Sequence, residues 1–237
     1  MKIEIIQGLG EVTYTKRKKS RRITVKIEPN NKIKVSHPSY ISHKVARNYL
    51  LNNLNVIQQK AAKLNEKTIT FNEDSIFKTK WHKLIIEKKE IDNVEYYISE
   101  YSILVYYPAG RDINDTYVQE SIKEAIVETL RIEAQSYLPQ RLLATATKFN
   151  LHYNKVFIKN IKTQWGSCSY KNNINLNLHI MRLPNHLIDY VICHELCHTV
   201  HKNHSPAFWN MLSTLMEDDI KTIKNELRSY SPQLYSS

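Results

Sequence analysis

The sequence predicts an α+β protein in which a β-rich N-terminal part precedes a mostly helical C-terminal part. Apolar residues alternate with polar ones over roughly the first 40 positions and again between 75 and 108, whereas apolar residues three and four apart dominate from about 115 onward. The first pattern is typical of half-buried strands and the second of helices. The loop-like AGRDINDT run places a predicted domain boundary between residues 114 and 115, which divides the chain into 1–114 and 115–237.

The N-terminal part is predicted to contain several strands and one helix. In ITVKIEPNNKIKVSHP, apolar residues alternate on both sides of a turn at 29–31, which predicts a hairpin. Ser42 suits the N-cap of a helix from about 43 to 64. The predicted buried residues of this helix are Val45, Tyr49, Leu50, Ile57 and Leu64. The stretches SIFKTKWHKLIIEKK and VEYYISEYSILVYYP, rich in Tyr and Ile, predict further strands.

The C-terminal part is predicted to be a helix, a β-hairpin, a buried helix and a final helix. The first helix spans about 115–148, with a break or kink at Pro139. Its predicted inward residues are Ile122, Ile126, Thr129, Ile132 and Tyr137. KVFIKNIKTQWGSCS and NINLNLHIMRL then predict two strands joined by a turn at 170–173. Pro184 suits the first turn of the buried helix, which ends near 200, and Ser205 with Pro206 begins the last one.

Composition narrows the class of protein. Apolar residues make up 42% of the 237 positions, and no run approaches the roughly 20 apolar residues of a membrane span. The first residues lack the apolar core of a secretory signal. Three cysteines, Cys168, Cys193 and Cys197, are an odd number, and two of them lie on one helix. We therefore expect reduced thiols in a cytoplasmic protein without a membrane partner, with Cys193 and Cys197 as small buried apolar residues.

The formal net charge of +11 favours polyanionic partners such as nucleic acid. A generally lysine-rich composition explains the same value without any function. The densest basic run, YTKRKKSRR at 14–22, is open to two interpretations: a nucleic-acid patch, or a solvated strand edge that lysines protect from aggregation. Since Tyr14 is the one aromatic residue within the run, the sequence favours the strand edge.

The helix around His194 carries the strongest chemical signal. His194 and His198 are one turn apart and share a face, and two imidazoles so spaced can converge on one Zn²⁺ ion. Glu195 is turned away by about 100°. In this His-Glu-x-x-His arrangement the glutamate is predicted to be the general base that takes the proton of a zinc-bound water as the water attacks a carbonyl.

A catalytic zinc site needs a third protein ligand, for which the sequence offers three candidates. His204 follows in a turn that can fold back on the metal, and we favour it. The acidic run 217–219 on the next helix is the second candidate, and His201, three residues after His198, is the third. Trp165 and Gly166 precede these helices, either as part of a loop near the metal or as a packed turn.

The motifs TQWGSCS, INLNLHI and LPNHLIDYVICHELCHTVHKNHSPAFW, together with KRKKSRRITVKI and KIKVSHP, resemble the YgjP-like metallopeptidases, a family of predicted metal-dependent hydrolases related to SprT-like proteases. The resemblance covers almost the whole chain. It implies a minimal zincin catalytic domain over 115–237, with His194, His198 and His204 as metal ligands and Glu195 as general base.

The sequence thus predicts a zinc-dependent hydrolase, and we favour a metallopeptidase acting on a peptide or protein. Two alternatives stay open at this point. One is a zinc-dependent phosphohydrolase acting on nucleotides, which the basic charge would suit. The other is a nucleic-acid-binding module with a structural zinc, although a structural site is closed by four protein ligands and no fourth is evident.

Overall fold

A computed structural model describes residues 2–28, 32–66, 69–216, 219–232 and 234. The described residues form helices and three separate sheets, so the predicted α+β class is confirmed. The chain divides into two compact units, Met1–Ile69 and Thr70–Leu234. None of the described helices combines the length and the apolar character that a membrane span requires.

The N-terminal unit is a four-stranded sheet with two helices, and the sheet has the strand order β1-β2-β4-β3. The predicted hairpin is confirmed because β3 pairs antiparallel with β4, although its turn at 29–31 lies outside the described residues. Both helices contribute to a single apolar core with one face of the sheet. The elements are β1 (Lys2–Ile6), β2 (Gly10–Arg17), β3 (Thr24–Glu28), β4 (Lys32–Pro38), α1 (His43–Asn52) and α2 (Leu54–Glu66).

The helix predicted over 43–64 is two helices, separated at Asn53. Ser42 caps α1 as predicted, its hydroxyl accepting from the Val45 amide at 3.4 Å. Val45 and Tyr49 are exposed, contrary to prediction, because the inward face of α1 runs through Ala46 and Leu50. Ile57 on α2 is buried as predicted, and the side chain of Leu64 lies outside the described part.

The second unit begins with a three-stranded sheet of order β5-β7-β6, followed by the long helix α3. The elements are β5 (Lys83–Lys89), β6 (Glu95–Ile98), β7 (Ser102–Pro108) and α3 (Thr116–Lys148). Helix α3 continues through Pro139 without the predicted break. Ile122, Ile126 and Thr129 face inward as predicted, whereas Ile132 is exposed and Tyr137 is half-buried.

The two compact units meet at 69/70 in the sequence, whereas a boundary at 114/115 was predicted. The physical reason is that α3 binds the segment before it. Gln119 exchanges two hydrogen bonds with the backbone of Phe71, at 2.9 and 2.7 Å. The buried Glu133 carboxylate accepts from the Thr79 hydroxyl and from the Trp81 amide. These bonds attach residues 70–108 to the C-terminal helices.

A second small sheet, of order β8-β10-β9, precedes the buried helix. Its strands are β8 (Lys155–Lys159), β9 (Gly166–Cys168) and β10 (Asn173–Asn177). The predicted hairpin is only partly right: β9 and β10 pair antiparallel across the turn, but β8 pairs with β10 in parallel. The predicted second strand also ends early, because the Asn177 side chain accepts from the His179 amide and begins a 3-10 helix at Leu178–Arg182.

Three helices follow this sheet, one more than the buried helix and the final helix that were predicted. Helix α4 is apolar on nearly all sides and its interior positions are buried, as expected for a helix enclosed by other elements. Ser205 and Pro206 occupy the N-cap and first turn of α5, as predicted. The helices are α4 (Asn185–Val200), α5 (Pro206–Leu215) and α6 (Ile220–Leu227).

Candidate metal centre

Helix α4 and the turn after it bring three imidazoles together. His194 and His198 lie one turn apart on α4, which ends where the His201 amide donates to the Cys197 carbonyl at 2.8 Å. The chain then turns, and His204, just before α5, comes back beside the other two. The predicted convergence of His194, His198 and His204 is therefore seen in the fold.

The three rings surround one point. Their centroids are 4.9, 5.0 and 4.7 Å apart, and one ring nitrogen from each lies within 4.8 Å of the others. The Nε2 atoms of His194 and His204 are 3.1 Å apart. Two nitrogens bound at about 2.0–2.1 Å to one tetrahedral ion would be roughly 3.3 Å apart. The donor set and its spacing thus fit a divalent metal such as zinc.

Neighbouring groups hold two of these imidazoles in position. His198 Nδ1 donates to the His201 carbonyl at 2.9 Å, which leaves Nε2 with a free lone pair. Trp209 Nε1 donates to the His204 carbonyl at 3.1 Å, and the Trp209 ring stacks on the His204 ring at 5.5 Å. Phe208 packs against all three imidazoles, with ring centroids 4.6 to 4.9 Å away.

Glu195 lies beside the three histidines and is only 5% exposed. Among the described residues, its Oε2 atom has no hydrogen-bond partner, and neither has His194 Nδ1. A buried carboxylate oxygen without a partner costs several kcal/mol. Glu195 Oε2 lies next to three converging imidazoles, as expected for a cation-binding site. A bound cation would offset the free-energy cost of burying the carboxylate.

Gly166 on β9 makes this placement of Glu195 possible. A Cβ atom at position 166 would lie 2.7 Å from Glu195 Oε1, 2.8 Å from its Cγ and 2.9 Å from its Cδ. No side chain fits there while the carboxylate keeps its position. The glycine is therefore required for the close approach of β9 to Glu195, which places Gly166 beside the histidine cluster and favours the first of the two interpretations of residues 165–166.

Burial shifts the proton affinities in this cluster. Burial, with smaller contributions from His198 and His204, lowers the pKa of His194 to about 3. The pKa of His204 is also lowered, first by burial and then by His198. Both imidazoles are therefore neutral at pH 7 and can offer a lone pair to a metal. Burial raises the pKa of Glu195 to about 8 in the absence of a metal.

Among the described residues, neither His201 nor Asp219 of the acidic run belongs to the cluster. His201 contributes its backbone carbonyl to His198 rather than its ring to the cluster. In the acidic run, 217 and 218 are outside the described residues. Asp219 is the N-cap of α6 and accepts from the Lys221 and Thr222 amides at 3.1 Å. Its carboxylate is thus already engaged.

A cleft of about 380 Å³ adjoins the cluster, and the sequence alone did not indicate it. His194 and Glu195 lie at its wall. Its other wall is the end of α6 and the residues after it, which carry Lys224, Arg228 and Tyr230. The described residues lining the cleft are Thr163, Gln164, Trp165, Gly166, Tyr190, Val191, His194, Glu195, Lys224, Leu227, Arg228, Tyr230 and Pro232.

One buried side chain connects the two walls of this cleft. The carbonyl oxygens of Ile161, Gln164 and Pro232 lie 2.6, 2.9 and 2.8 Å from Asn177 Nδ2, and they share its two N–H donors. Asn177 is fully buried, so these bonds are formed away from water. These contacts are distant in sequence, so only the tertiary structure reveals the role of Asn177.

All three cysteines are free, as predicted. Cys193 and Cys197 are buried in α4, and burial raises the pKa of each thiol to about 12. They are therefore protonated, apolar packing residues and not metal-binding thiolates.

Comparison with known proteins identifies a family for this chain. A family model described as "YgjP-like, metallopeptidase domain" matches residues 21–230. Among solved structures, the metallopeptidase zymogen jannalysin of Methanocaldococcus jannaschii is similar, at 22% identity over 39% of this chain and 94% of that chain, with a TM-score of 0.36. The zymogen abylysin of Pyrococcus abyssi is similar at 21% identity over 39% of this chain and 92% of that chain, with the same TM-score. No curated protein matched.

Proposed function

The chain belongs to the YgjP-like metallopeptidase family and is a metal-dependent peptidase; from that premise, we propose that the metal is zinc, held by His194, His198 and His204, and that Glu195 is the general base. The observation that carries the proposal is the meeting of three imidazoles with a buried carboxylate whose Oε2 atom has no partner among the described residues. Each of these four residues had been predicted from the sequence.

Zinc is the metal that this donor set favours. Three imidazole nitrogens and no thiolate suit Zn²⁺ in a catalytic site, which keeps a fourth position open. When bound, such an ion polarises a carbonyl and makes water more acidic. His198 is fixed for this role by its bond to the His201 carbonyl, and the neighbouring Trp209 orients His204.

Glu195 moves the proton in the proposed reaction. Burial alone raises its pKa, and a nearby divalent cation opposes that effect, which favours the carboxylate form. The ionised Oε2 atom accepts the proton of the attacking water and then passes it to the departing amine. Gly166 keeps this carboxylate in position, because any larger residue would displace it.

The cleft beside the cluster indicates the kind of peptide that fits. Aromatic and apolar groups, among them Trp165 and Tyr230, line most of it, and Lys224 and Arg228 lie one turn apart on one wall. Among the described lining residues, Glu195 is the one carboxylate. We expect a peptide with an apolar or aromatic side chain next to a negative charge.

The two alternatives have less support. Phosphoryl transfer frequently uses two metals held by several carboxylates, and Glu195 is the one carboxylate at the described site. A structural zinc would be closed by a fourth protein ligand, and the described cluster contains three.

We further propose a cytoplasmic location, in keeping with three unpaired cysteines.

The proposal is tested by a substrate screen with the zinc-loaded protein. The panel contains peptides, folded and unfolded proteins, and nucleotides, and Glu195→Gln is the control for each. Cleavage of peptide bonds that Glu195→Gln abolishes is the expected result. Release of phosphate from nucleotides, with no peptide cleavage, would replace the proposal by the phosphohydrolase alternative.

A further inference from the structure

The excess of positive over negative charge lies entirely in the N-terminal unit. Residues 1–69 contain 15 of the 34 Lys and Arg but only 4 of the 23 Asp and Glu, which accounts for the whole net charge of +11. The other 168 residues contain 19 of each kind and are neutral overall. A lysine-rich composition of the whole chain would load both units, so it does not explain this division.

The densest part of this charge is a basic loop, Lys16–Arg22, at the end of β2. Its six cationic side chains are exposed, and none forms an ion pair with a carboxylate of the described residues. Two bonds give the loop a defined shape: the Ser20 amide donates to the Arg17 carbonyl at 3.2 Å, and the Ser20 hydroxyl donates to the Arg22 carbonyl at 2.8 Å.

Protection of a sheet edge does not account for most of the basic loop. Among the described residues, β1 pairs with β2 only as far as Tyr14, so Lys16 and Arg17 pair with β4 on one side and extend past β1 on the other. For these two residues the interpretation that the sequence favoured, lysines at an exposed strand edge, fits the fold. The other four cations, Lys18, Lys19, Arg21 and Arg22, follow the end of β2 and protect no strand edge.

An aromatic ring lies next to the basic loop, which the sequence did not reveal. Tyr14, the aromatic residue of the run, is buried in the core and unavailable. Tyr40, which follows β4, is 76% exposed, and its hydroxyl donates to the Arg21 carbonyl at 3.4 Å. An exposed ring beside clustered cations is the combination that stacks a base while the phosphates are neutralised.

We propose that the basic loop and Tyr40 bind single-stranded nucleic acid. The six cations contact the phosphate backbone, which requires no particular base sequence. Tyr40 supplies a platform for an unpaired base, which a duplex does not present. The N-terminal unit thus has a binding role that is separate from the peptidase site.

The test is fluorescence anisotropy of the full-length protein with a labelled single-stranded oligonucleotide, over a series of salt concentrations. The loop variant is K18Q/K19Q/R21Q/R22Q. The matched control is K83Q/K155Q/K162Q/K171Q, which removes four exposed lysines from the neutral unit. Each phosphate contact on a single strand contributes about −0.7 to the slope of log affinity against log salt. Removal of four cations should therefore make the slope of the loop variant less steep by up to about 3, and the control should keep the wild-type slope.

Tyr40 has its own pair of variants. Loss of one stacked base weakens binding by roughly 5- to 100-fold, so Tyr40→Ala should show such a loss and Tyr40→Phe should not. The inference is overturned if the loop variant keeps the wild-type slope, or if the control loses as much. Equal or tighter binding of duplex DNA, or equal competition by polyglutamate, would also overturn it.

Discussion

Replacing Gly166 by alanine should slow catalysis strongly while leaving the metal in place. The new Cβ atom would lie 2.7 to 2.9 Å from three atoms of Glu195, whereas ordinary contacts begin at 3.4 Å. The carboxylate must therefore retreat by about 0.5 to 0.7 Å. One of the three atoms is Cγ, so rotation of the carboxylate alone does not relieve the clash, and Glu195 is only 5% exposed.

The expected loss follows from this displacement. A misplacement of 1 Å at a reacting group costs about 10²-fold in rate, so Gly166→Ala should reduce turnover by roughly 10- to 100-fold. Metal content should stay at the wild-type level, because the nearest contacts of the added methyl group all belong to Glu195. The assay is peptide turnover by the zinc-loaded protein, with zinc measured on the same sample.

Two controls separate this effect from general damage. Gly110→Ala adds the same methyl group where no atom lies within 4 Å, and it should have wild-type turnover. In a Glu195→Gln background, adding Gly166→Ala should reduce turnover little further, because both changes act through the side chain at position 195. Full activity of Gly166→Ala, or additive losses in the double variant, would refute the close-approach explanation.

Three further predictions concern the ligands, the buried carboxylate and the cleft. His204→Ala should lose most of its zinc, and His201→Ala should retain it; equal zinc in both would remove His204 from the ligand set. In the metal-free protein, the pKa of Glu195 is 4.5 in the unfolded state and about 8 in the folded state. Ionisation of Glu195 therefore lowers the stability of the folded state more and more as pH rises from 4.5 to 8. Denaturant unfolding should therefore show that the free energy of unfolding of Glu195→Gln, relative to the metal-free wild type, increases between pH 4.5 and 8 by on the order of 3–5 kcal/mol. A difference in unfolding free energy that does not change with pH would count against the raised pKa of Glu195. Arg228→Gln should raise KM several-fold for peptides with a negative charge and leave neutral peptides unchanged, and identical effects on both would show that Arg228 does not select charge.

The meeting of His194, His198 and His204 was predictable because most of its geometry is local in sequence. The spacing of His194 and His198 places them on one helical face whatever surrounds the helix. His204 lies only six residues further, across a turn that Ser205 and Pro206 define. The types and spacing of these residues therefore predicted that they meet, before any tertiary contact was known.

Features that depend on distant contacts were not predictable. Gly166 and Glu195 are 29 positions apart, and their close approach follows from the packing of β9 against α4. The parallel pairing of β8 with β10 also depends on residues that are distant in sequence. The same holds for the hydrogen bonds of the Asn177 side chain. Apolar spacing also misplaced Val45, because neighbouring positions on α1 compete for the same core.

The central claim is that a zinc site made of three histidines acts together with Glu195 as base. The most direct test is the turnover of a cleaved peptide by zinc-loaded Glu195→Gln, with zinc counted on the same sample. We predict about one zinc per chain, as in the wild type, and a rate reduced by roughly 10²–10⁴-fold. An unchanged rate would contradict the proposed mechanism, and loss of the zinc would make Glu195 a ligand rather than the base.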